Sequence, residues 1–366
     1  MRSRRFHRKS RTGCISCRSR RIKCNESHPI CGQCERASIP CHYSTVSRPS
    51  ASTLTVPREP HPSLLDHRAI PEGRPQFDLL DITLMHHYTF ATAASLFGGE
   101  HTDLWQREVP LQAQSNPLLM HGILATAALH LAVLEPTQSS PYWTRALHHH
   151  NLGLELYNAQ IAHLNSENCQ ALLTFGIYLV VWAYASPTIT RDLLNLDRVL
   201  DSLELVRGCR IVFELQSAAI LEQPIGKFIT EDSHAAPGEV SPTALQAFRC
   251  LRKKVDDFSN TLAIDRLERF WEGAHATSSP MRHAMGWPAM IEGSFWHQVR
   301  KHRPVALLTF MHYAMLLGHF NLSTWWVKGW SDGLIKAVED VLTESEKGEL
   351  EWDMHATWVR SQIVQT

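Results

Sequence analysis

From about Phe77 onward, apolar residues recur at intervals of three and four, interrupted by short Pro, Gly and Asn signals. That spacing keeps one face of a 3.6-residue helix apolar. It predicts helices over Leu79 to Phe97, Tyr142 to Leu164, Ser166 to Ala185 and Leu194 to about Glu214, and further ones over 243–262, 303–320 and 332–345. Asn116-Pro117 reads as a helix start, followed by Leu118, His121, Ile123, Leu124, Ala128, Leu129 and Val133 at core spacing. Alternating β-branched runs are scarce, while Leu, Ala, His and Met dominate, so the whole of 77–366 is expected to be an all-helical domain. Residues 219–302, interrupted by Pro224, Pro237, Pro280 and Pro288, are the least legible stretch.

One apolar run invites a membrane reading. Ala171 to Ala185 is 15 residues without a charge, preceded by Glu167-Asn168 and expected to end at Ser186-Pro187. A spanning helix needs about 20 apolar residues. The run is therefore expected to be a buried core helix, with no membrane span.

Upstream, the texture changes. Residues 44–76 are rich in Ser and Pro, with Pro49, Pro57, Pro60, Pro62, Pro71 and Pro75, a density that prevents a continuous helix. No apolar heptad survives there, so a coiled-coil dimerisation segment is not expected and the stretch reads as a flexible linker. Residues 1–13 form a basic arm and residues 14–43 a cysteine-rich module. At 44% hydrophobic and 20% charged, the 366-residue chain can bury a sizeable core and is read as about two domains.

The formal net charge of zero conceals an asymmetry. Residues 1–50 carry 12 Lys/Arg against Glu26 and Glu35, a net +10, and the remainder carries a net −10. The basic end suits phosphate and the body does not. Met1-Arg2-Ser3-Arg4-Arg5-Phe6-His7 contains no apolar signal segment, so a reducing compartment is expected, where clustered cysteines bind metal more often than they pair.

Six of the nine cysteines fall in the order Cys14-x2-Cys17-x6-Cys24-x6-Cys31-x2-Cys34-x6-Cys41. Structural zinc takes four thiolates in a tetrahedron with Zn–S of about 2.3 Å. Six sulfurs satisfy two such ions only if two of them bridge, which thiolate lone pairs permit. A disulfide framework is the alternative, and the basic content without a signal segment argues against it. Between Cys17 and Cys24 the chain reads Arg18-Ser19-Arg20-Arg21-Ile22-Lys23, four cations in six residues, whereas Glu35 to Pro40 has one. The first half is thus expected to face DNA and the second to complete the metal cage. Arg or Lys can hydrogen-bond guanine O6 and N7 in the major groove, and other cations pair with phosphate. The arm residues Arg8, Lys9 and Arg11, with Arg2, Arg4 and Arg5, add phosphate contacts and a nuclear import signal.

Cys14-Ile-Ser-Cys-Arg-Ser-Arg-Arg-Ile-Lys-Cys24 closely resembles the fungal binuclear zinc-cluster transcription factors, and the resemblance covers 14–41 with every ligand and the loop proline Pro29 in place. It implies two zinc ions bridged by Cys14 and Cys31, a base-contacting Arg21 with Arg20 beside it, and double-stranded DNA sites of CGG type. It further implies a nuclear, sequence-specific regulator of RNA polymerase II transcription, of the kind that controls a pathway such as a secondary-metabolite gene cluster.

The body, through Leu84-Met85-His86-His87-Tyr88-Thr89, Asn116 to Ala125, Glu167-Asn168-Cys169, Leu203 to Gly208 and Trp325-Trp326 with Gly329-Trp330, is similar to the sterol uptake control protein-like regulators. That likeness implies a helical regulatory domain and, as an alternative reading, a sterol- or lipid-responsive regulator. Phe175, Tyr178, Trp182, Phe310, Tyr313 and Met315 are candidates to line a pocket for a small hydrophobic ligand, with plain core the favoured reading. Whether the chain binds a half-site alone or as a homodimer through its helical body stays open.

The 22 histidines lack ligand spacing: His148-His149-His150 point about 100° apart on a helix, and His121 and His130 are nine residues apart. No nucleophile elbow, phosphate loop or His-Glu-x-x-His occurs, so an enzyme is not expected. A zinc-stabilised protein-interaction module is the rival of another class; the lopsided charge argues against it.

Overall fold

A computed structural model describes residues 13–20, 22–43, 77–97, 101–230, 242–255, 257–276, 280–319 and 324–364. Among the described residues every regular element is helical. They fall into two compact units, one within Met1–Pro71 and the other within Glu72–Thr366. The expected linker and basic arm lie outside the described residues.

The first unit has two five-residue helices, α1 (Ile15–Ser19) and α2 (Gly32–Arg36). Its interior is not aliphatic. Cys14, Cys17, Cys24, Cys31 and Cys34 are buried together, with Ile39, Cys41 and Tyr43 packed against them.

The second unit opens with α3 (Leu79–His87), which continues through a π-helical turn, Tyr88–Thr92, into α4 (Ala93–Phe97). Asp78 and Asp81 form a reciprocal capping box at its start. A second π turn, Leu104–Glu108, leads into α5 (Val109–Ala113). Then come α6 (Pro117–Leu134), α7 (Ser139–Ile161), α8 (Cys169–Thr190) and α9 (Leu196–Leu215). Asn116 caps α6 as its sequence suggests, its side chain accepting from the Leu119 N–H at 3.3 Å, with Pro117 in the first turn. The long helix α6 packs on α3, α5, α7 and α8 and is apolar all round, as a core helix must be.

The less legible stretch is also helical: α10 (Ser217–Leu221), α11 (Pro224–Thr230), α12 (Pro242–Arg252), α13 (Phe258–Ala276), α14 (Pro280–Met290) and α15 (Gly293–Arg300). The chain ends through α16 (Pro304–His312), α17 (Ala314–Gly318), α18 (Trp330–Glu339), α19 (Glu344–Leu350) and α20 (Trp352–Val364).

Several expected boundaries need correction, among them the helix over 303–320, which divides into α16 and α17. Helix α8 runs through Ser186-Pro187 and stops at Thr190, where Arg191 takes a left-handed φ of 56°. Proline removes only its own N–H, and Pro187 is buried in the body within a mostly buried helix. The predicted helix over 243–262 divides into α12 and α13, and that over 332–345 into α18 and α19, where Thr343 and Glu346 form a capping box. Two helices, α6 and α8, are long and apolar enough to cross a membrane, but 78% and 72% of their respective windows are buried inside the body.

Tryptophans tie the end of the chain to its beginning. The indole N–H of Trp326 donates to the Leu96 carbonyl at 3.1 Å, that of Trp325 to the Ser95 hydroxyl at 3.1 Å, and that of Trp330 to the Tyr184 carbonyl at 2.7 Å. Gly329, at φ 85°, makes the turn that lets Trp326 and Trp330 both face inward, a backbone conformation that other residues adopt at a cost. We expect Trp330→Ala to destabilise the body by about 3–5 kcal/mol in denaturant titrations.

Histidines fill the polar part of the core. His149 Nε2–H donates to Asp81 at 2.9 Å, which leaves its Nδ1 to accept from His121 Nδ1–H at 3.0 Å, and Arg145 closes the network on Asp81 at 3.3 Å. Burial lowers the pKa of His121, His130 and His150 to about 4 and of His312 to about 3. The unfolded chain, with histidine near 6.5, therefore binds more protons than the folded one between about pH 6.5 and 4. Stability should be full above that window and fall steadily as pH drops through it, read as a declining Tm.

Candidate metal centre and nucleic-acid interface

The two halves of the cysteine module repeat one backbone design with an offset of 17 residues. Cys14 stands at the N-cap of α1, its sulfur accepting from the Cys17 N–H at 3.4 Å; Cys31 does the same for α2 and the Cys34 N–H at 3.4 Å. The Ile22 N–H donates to the Cys17 carbonyl and the Ile39 N–H to the Cys34 carbonyl, both at 3.1 Å. Cys41 Sγ accepts from the Cys31 N–H at 3.3 Å, and Cys24 Sγ from the Cys14 N–H. Each Cys-x2-Cys thus places two sulfurs on the inner side of one helical turn, as its spacing predicts, and the following x6 returns the third.

The halves are stitched together. The Ile15 N–H donates to the His42 carbonyl at 2.8 Å, the Ser16 hydroxyl to the Pro40 carbonyl at 2.6 Å, and the Gly32 N–H to the Asn25 side chain at 2.9 Å. The Tyr43 hydroxyl donates to the Ser27 carbonyl at 2.9 Å and lies 3.7 Å from Cys24 Sγ. Sequence reasoning missed Ser16, Asn25 and Tyr43; only their nearness to the ligands marked them.

The sulfurs form two sets of four, Cys14, Cys17, Cys24, Cys31 and Cys14, Cys31, Cys34, Cys41, each within 4.8 Å mutually. Cys14 and Cys31 are common to both and 3.6 Å apart; Cys17 lies 3.5 Å from Cys31, and Cys34 lies 3.6 Å from Cys14. A tetrahedron with Zn–S of about 2.3 Å has edges of about 3.8 Å, so these separations fit metal coordination. They far exceed the roughly 2.05 Å of a disulfide, and every cysteine is free. The donor set therefore suits two soft-ligand divalent cations sharing two thiolates.

Burial and mutual contact split the thiols in acidity. Burial raises Cys14 and Cys17, and raises Cys34 to about 12. At Cys31 burial works in the same direction, but the Cys34 N–H and the neighbouring thiols outweigh it and bring the pKa down to about 6. A coordinated divalent cation overrides this balance and holds coordinating thiols deprotonated.

Arg18 on α1, Arg20 at its C-cap and Lys23 beyond it are all exposed. The helix is shorter than the basic run, so only Arg18 of the named cations projects from it; Arg20 and Lys23 project from the segment that returns to Cys24. Arg21, Arg8, Lys9 and Arg11 lie outside the described residues.

Residues 12–50 match the fungal Zn(2)-Cys(6) binuclear cluster domain, and residues 83–197 match the fungal specific transcription factor domain. The chain carries both domains of the fungal Zn(2)-Cys(6) transcription factors. It is 28% identical to the Zn(2)-C6 fungal-type transcription factor afumD of Aspergillus fumigatus over 85% of this chain and 86% of the relative. It is 25% identical to a Zn(2)-C6 fungal-type transcription factor of Gibberella zeae over 97% of this chain and 86% of the relative. Over 31% of this chain and 16% of the relative it is 48% identical to sterol uptake control protein 2 of Candida albicans. The domains present are those of DNA-binding transcription regulators, with a cluster domain of the kind that binds two zinc ions, and the relatives it matches are transcription factors, not enzymes.

A second candidate site lies in the helical body. An apolar cavity of about 610 Å³ is walled by side chains of α8, α9, α11, α13 and α14, with Phe97 and Trp326. Ile177, Val181, Phe213, Phe228 and Phe270 are typical of its lining. Cys209, also in the wall, is pushed up to about 12 by burial. The favoured reading of the candidate lining holds: Phe175, Tyr178, Phe310, Tyr313 and Met315 are buried core, and neither they nor Trp182 line the cavity. Trp182 stacks instead on His150, 3.9 Å between ring centroids.

Because the zinc-thiolate cage is the interior of the first unit, chelation should dismantle that unit while leaving the helical body folded. A zinc assay should release two Zn per chain, with little loss of far-ultraviolet helical signal.

Proposed function

We propose that residues 14–43 read DNA sequence, with Cys14 and Cys31 as the bridging ligands, Cys17 and Cys24 completing one zinc site, and Cys34 and Cys41 the other. The single observation that carries this is the pair of four-sulfur sets sharing Cys14 and Cys31, with three exposed cations, Arg18, Arg20 and Lys23, on the first half against Arg36 on the second. Arg21 is the base-reading residue at a CGG-type site, Arg20 and Lys23 flank it, and Arg8, Lys9 and Arg11 pair with phosphate. Residues 44–76 link this module to the regulatory body of 77–366. The protein acts in the nucleus on RNA polymerase II genes of one pathway, a secondary-metabolite cluster being the type that the family resemblance suggests.

In a binding assay, Arg21→Ala should keep both zinc ions and lose most discrimination among sites, about 1–3 kcal/mol. Arg20→Ala should lower the slope of log K against log salt by about 0.9 if its partner is phosphate. A protein-interaction module would show little salt dependence and indifference to both changes.

The cavity supports a second reading, regulation by a sterol or other lipid. Its volume lies within the roughly 300–1,000 Å³ of small-molecule sites, and its lining is apolar. The likeness to a sterol uptake control protein points the same way. Ile177→Trp, which places an indole in the cavity, should weaken binding of a lipid probe at least tenfold while leaving zinc content and DNA binding unchanged.

A further inference from the structure

The cavity shares part of its wall with a groove of different chemistry. A smaller space of about 290 Å³ shares Arg210, Glu214, Ala289 and Met290 with it and is also lined by Arg207, Arg266 and Glu292. One guanidinium thus stands where the apolar interior meets the groove, and two more line the groove beyond it.

The arginines are fixed in place. Arg210 donates to the Ala289 carbonyl at 2.9 Å and to Glu214 at 2.6 Å. Arg266 donates to the Met290 carbonyl and faces Glu292 at 3.6 Å. Arg207 donates to both oxygens of Glu204 at 3.1 Å, and Glu204 also serves Arg300 at 2.9 Å. A purely architectural account covers part of this: Arg210 and Arg266 cap the last carbonyls of α14. Arg207 has its own architectural partner in Glu204, one turn back on α9, and the caps of α14 use only some of the five N–H groups on each guanidinium.

The side chains of Arg207, Arg210 and Arg266 are 27–33% exposed, whereas Glu204, Glu214 and Glu292 are 45–53% exposed. The cations sit deeper than the carboxylates: Glu214 and Glu292 share the groove lining with the three arginines, and Glu204 pairs with Arg207 from beside it.

We propose that this site takes an amphiphile with a long apolar tail and an anionic head, a long-chain carboxylate, with the tail in the cavity and the head against Arg207, Arg210 and Arg266. The proposal rests on the reading that the cavity holds a lipid and adds the head group to it. A sterol presents an uncharged hydroxyl, which cannot use partly desolvated guanidiniums as a carboxylate does. Charge-assisted bidentate hydrogen bonds to arginine are the strong ones, and a half-buried mouth screens them less than open water.

Equilibrium dialysis of the full chain against sodium oleate, methyl oleate, oleylamine and ergosterol, each below its aggregation threshold, separates tail from head. Oleate should bind about tenfold tighter than methyl oleate, the worth of one charge-assisted contact, and oleylamine should bind weakest. Arg207→Gln, which leaves both caps of α14 intact, should bring oleate to the level of methyl oleate without changing methyl oleate, whose retained binding reports the fold. Equal binding of oleate and methyl oleate, or tighter binding of ergosterol than oleate, overturns the anionic head and leaves the lipid reading standing. Binding of none of the four overturns both.

Discussion

Two cations and six thiolates set the terms for the DNA-binding end of this protein. Four-coordinate zinc needs eight sulfur contacts where six sulfurs exist, so two sulfurs must serve twice. The pair common to both four-sulfur sets is Cys14 and Cys31, the residues that also cap α1 and α2. Among the described residues of that unit nothing else could replace the metal. Its interior holds sulfur, one tyrosine and one isoleucine, far less apolar surface than an independent fold of this size requires. Cation binding and folding are therefore one equilibrium, and the exposed cations of the first half keep their positions only while it holds.

The metal cage was legible in the sequence because ligand spacing is a local property. Cys-x2-Cys is one turn of helix, and each half carries its own returning cysteine. The helical class of the body was legible for the same reason, since Asn116-Pro117 and the apolar run of α8 carry their signals within a few residues. Pro187 was misread because a local rule gave way to packing: a helix buried on most of its surface tolerates one missing N–H. The cavity was not legible at all. Its walls come from five helices, and Phe228, Ile229, Phe270 and Met285 lie in the stretch whose prolines obscure the periodicity. The aromatic residues that looked suitable, such as Phe310 and Tyr313, are spent on the core. No periodic pattern distinguishes an inward residue that meets another side chain from one that faces empty space.

The charge asymmetry has a structural counterpart. The basic end carries little interior beyond its metals, while the acidic body holds the large core, the histidine networks and the cavity. The net positive charge that attracts phosphate is thereby concentrated on one short segment, while the body is net negative. The Trp325-Trp326 and Gly329-Trp330 motif closes the body by hydrogen-bonding indoles to carbonyls and hydroxyls more than 140 residues away in sequence. Trp326 also forms part of the cavity wall, so the closure of the fold and the shape of the candidate ligand site share a residue.

Selection of bound duplexes from a random-sequence pool by the full chain, with and without a zinc chelator, tests the central claim most directly. The account predicts enrichment of one short common element containing adjacent guanines, abolished by the chelator and restored by added zinc. Retention of duplexes with no common element, or an enriched element that survives chelation, would contradict it.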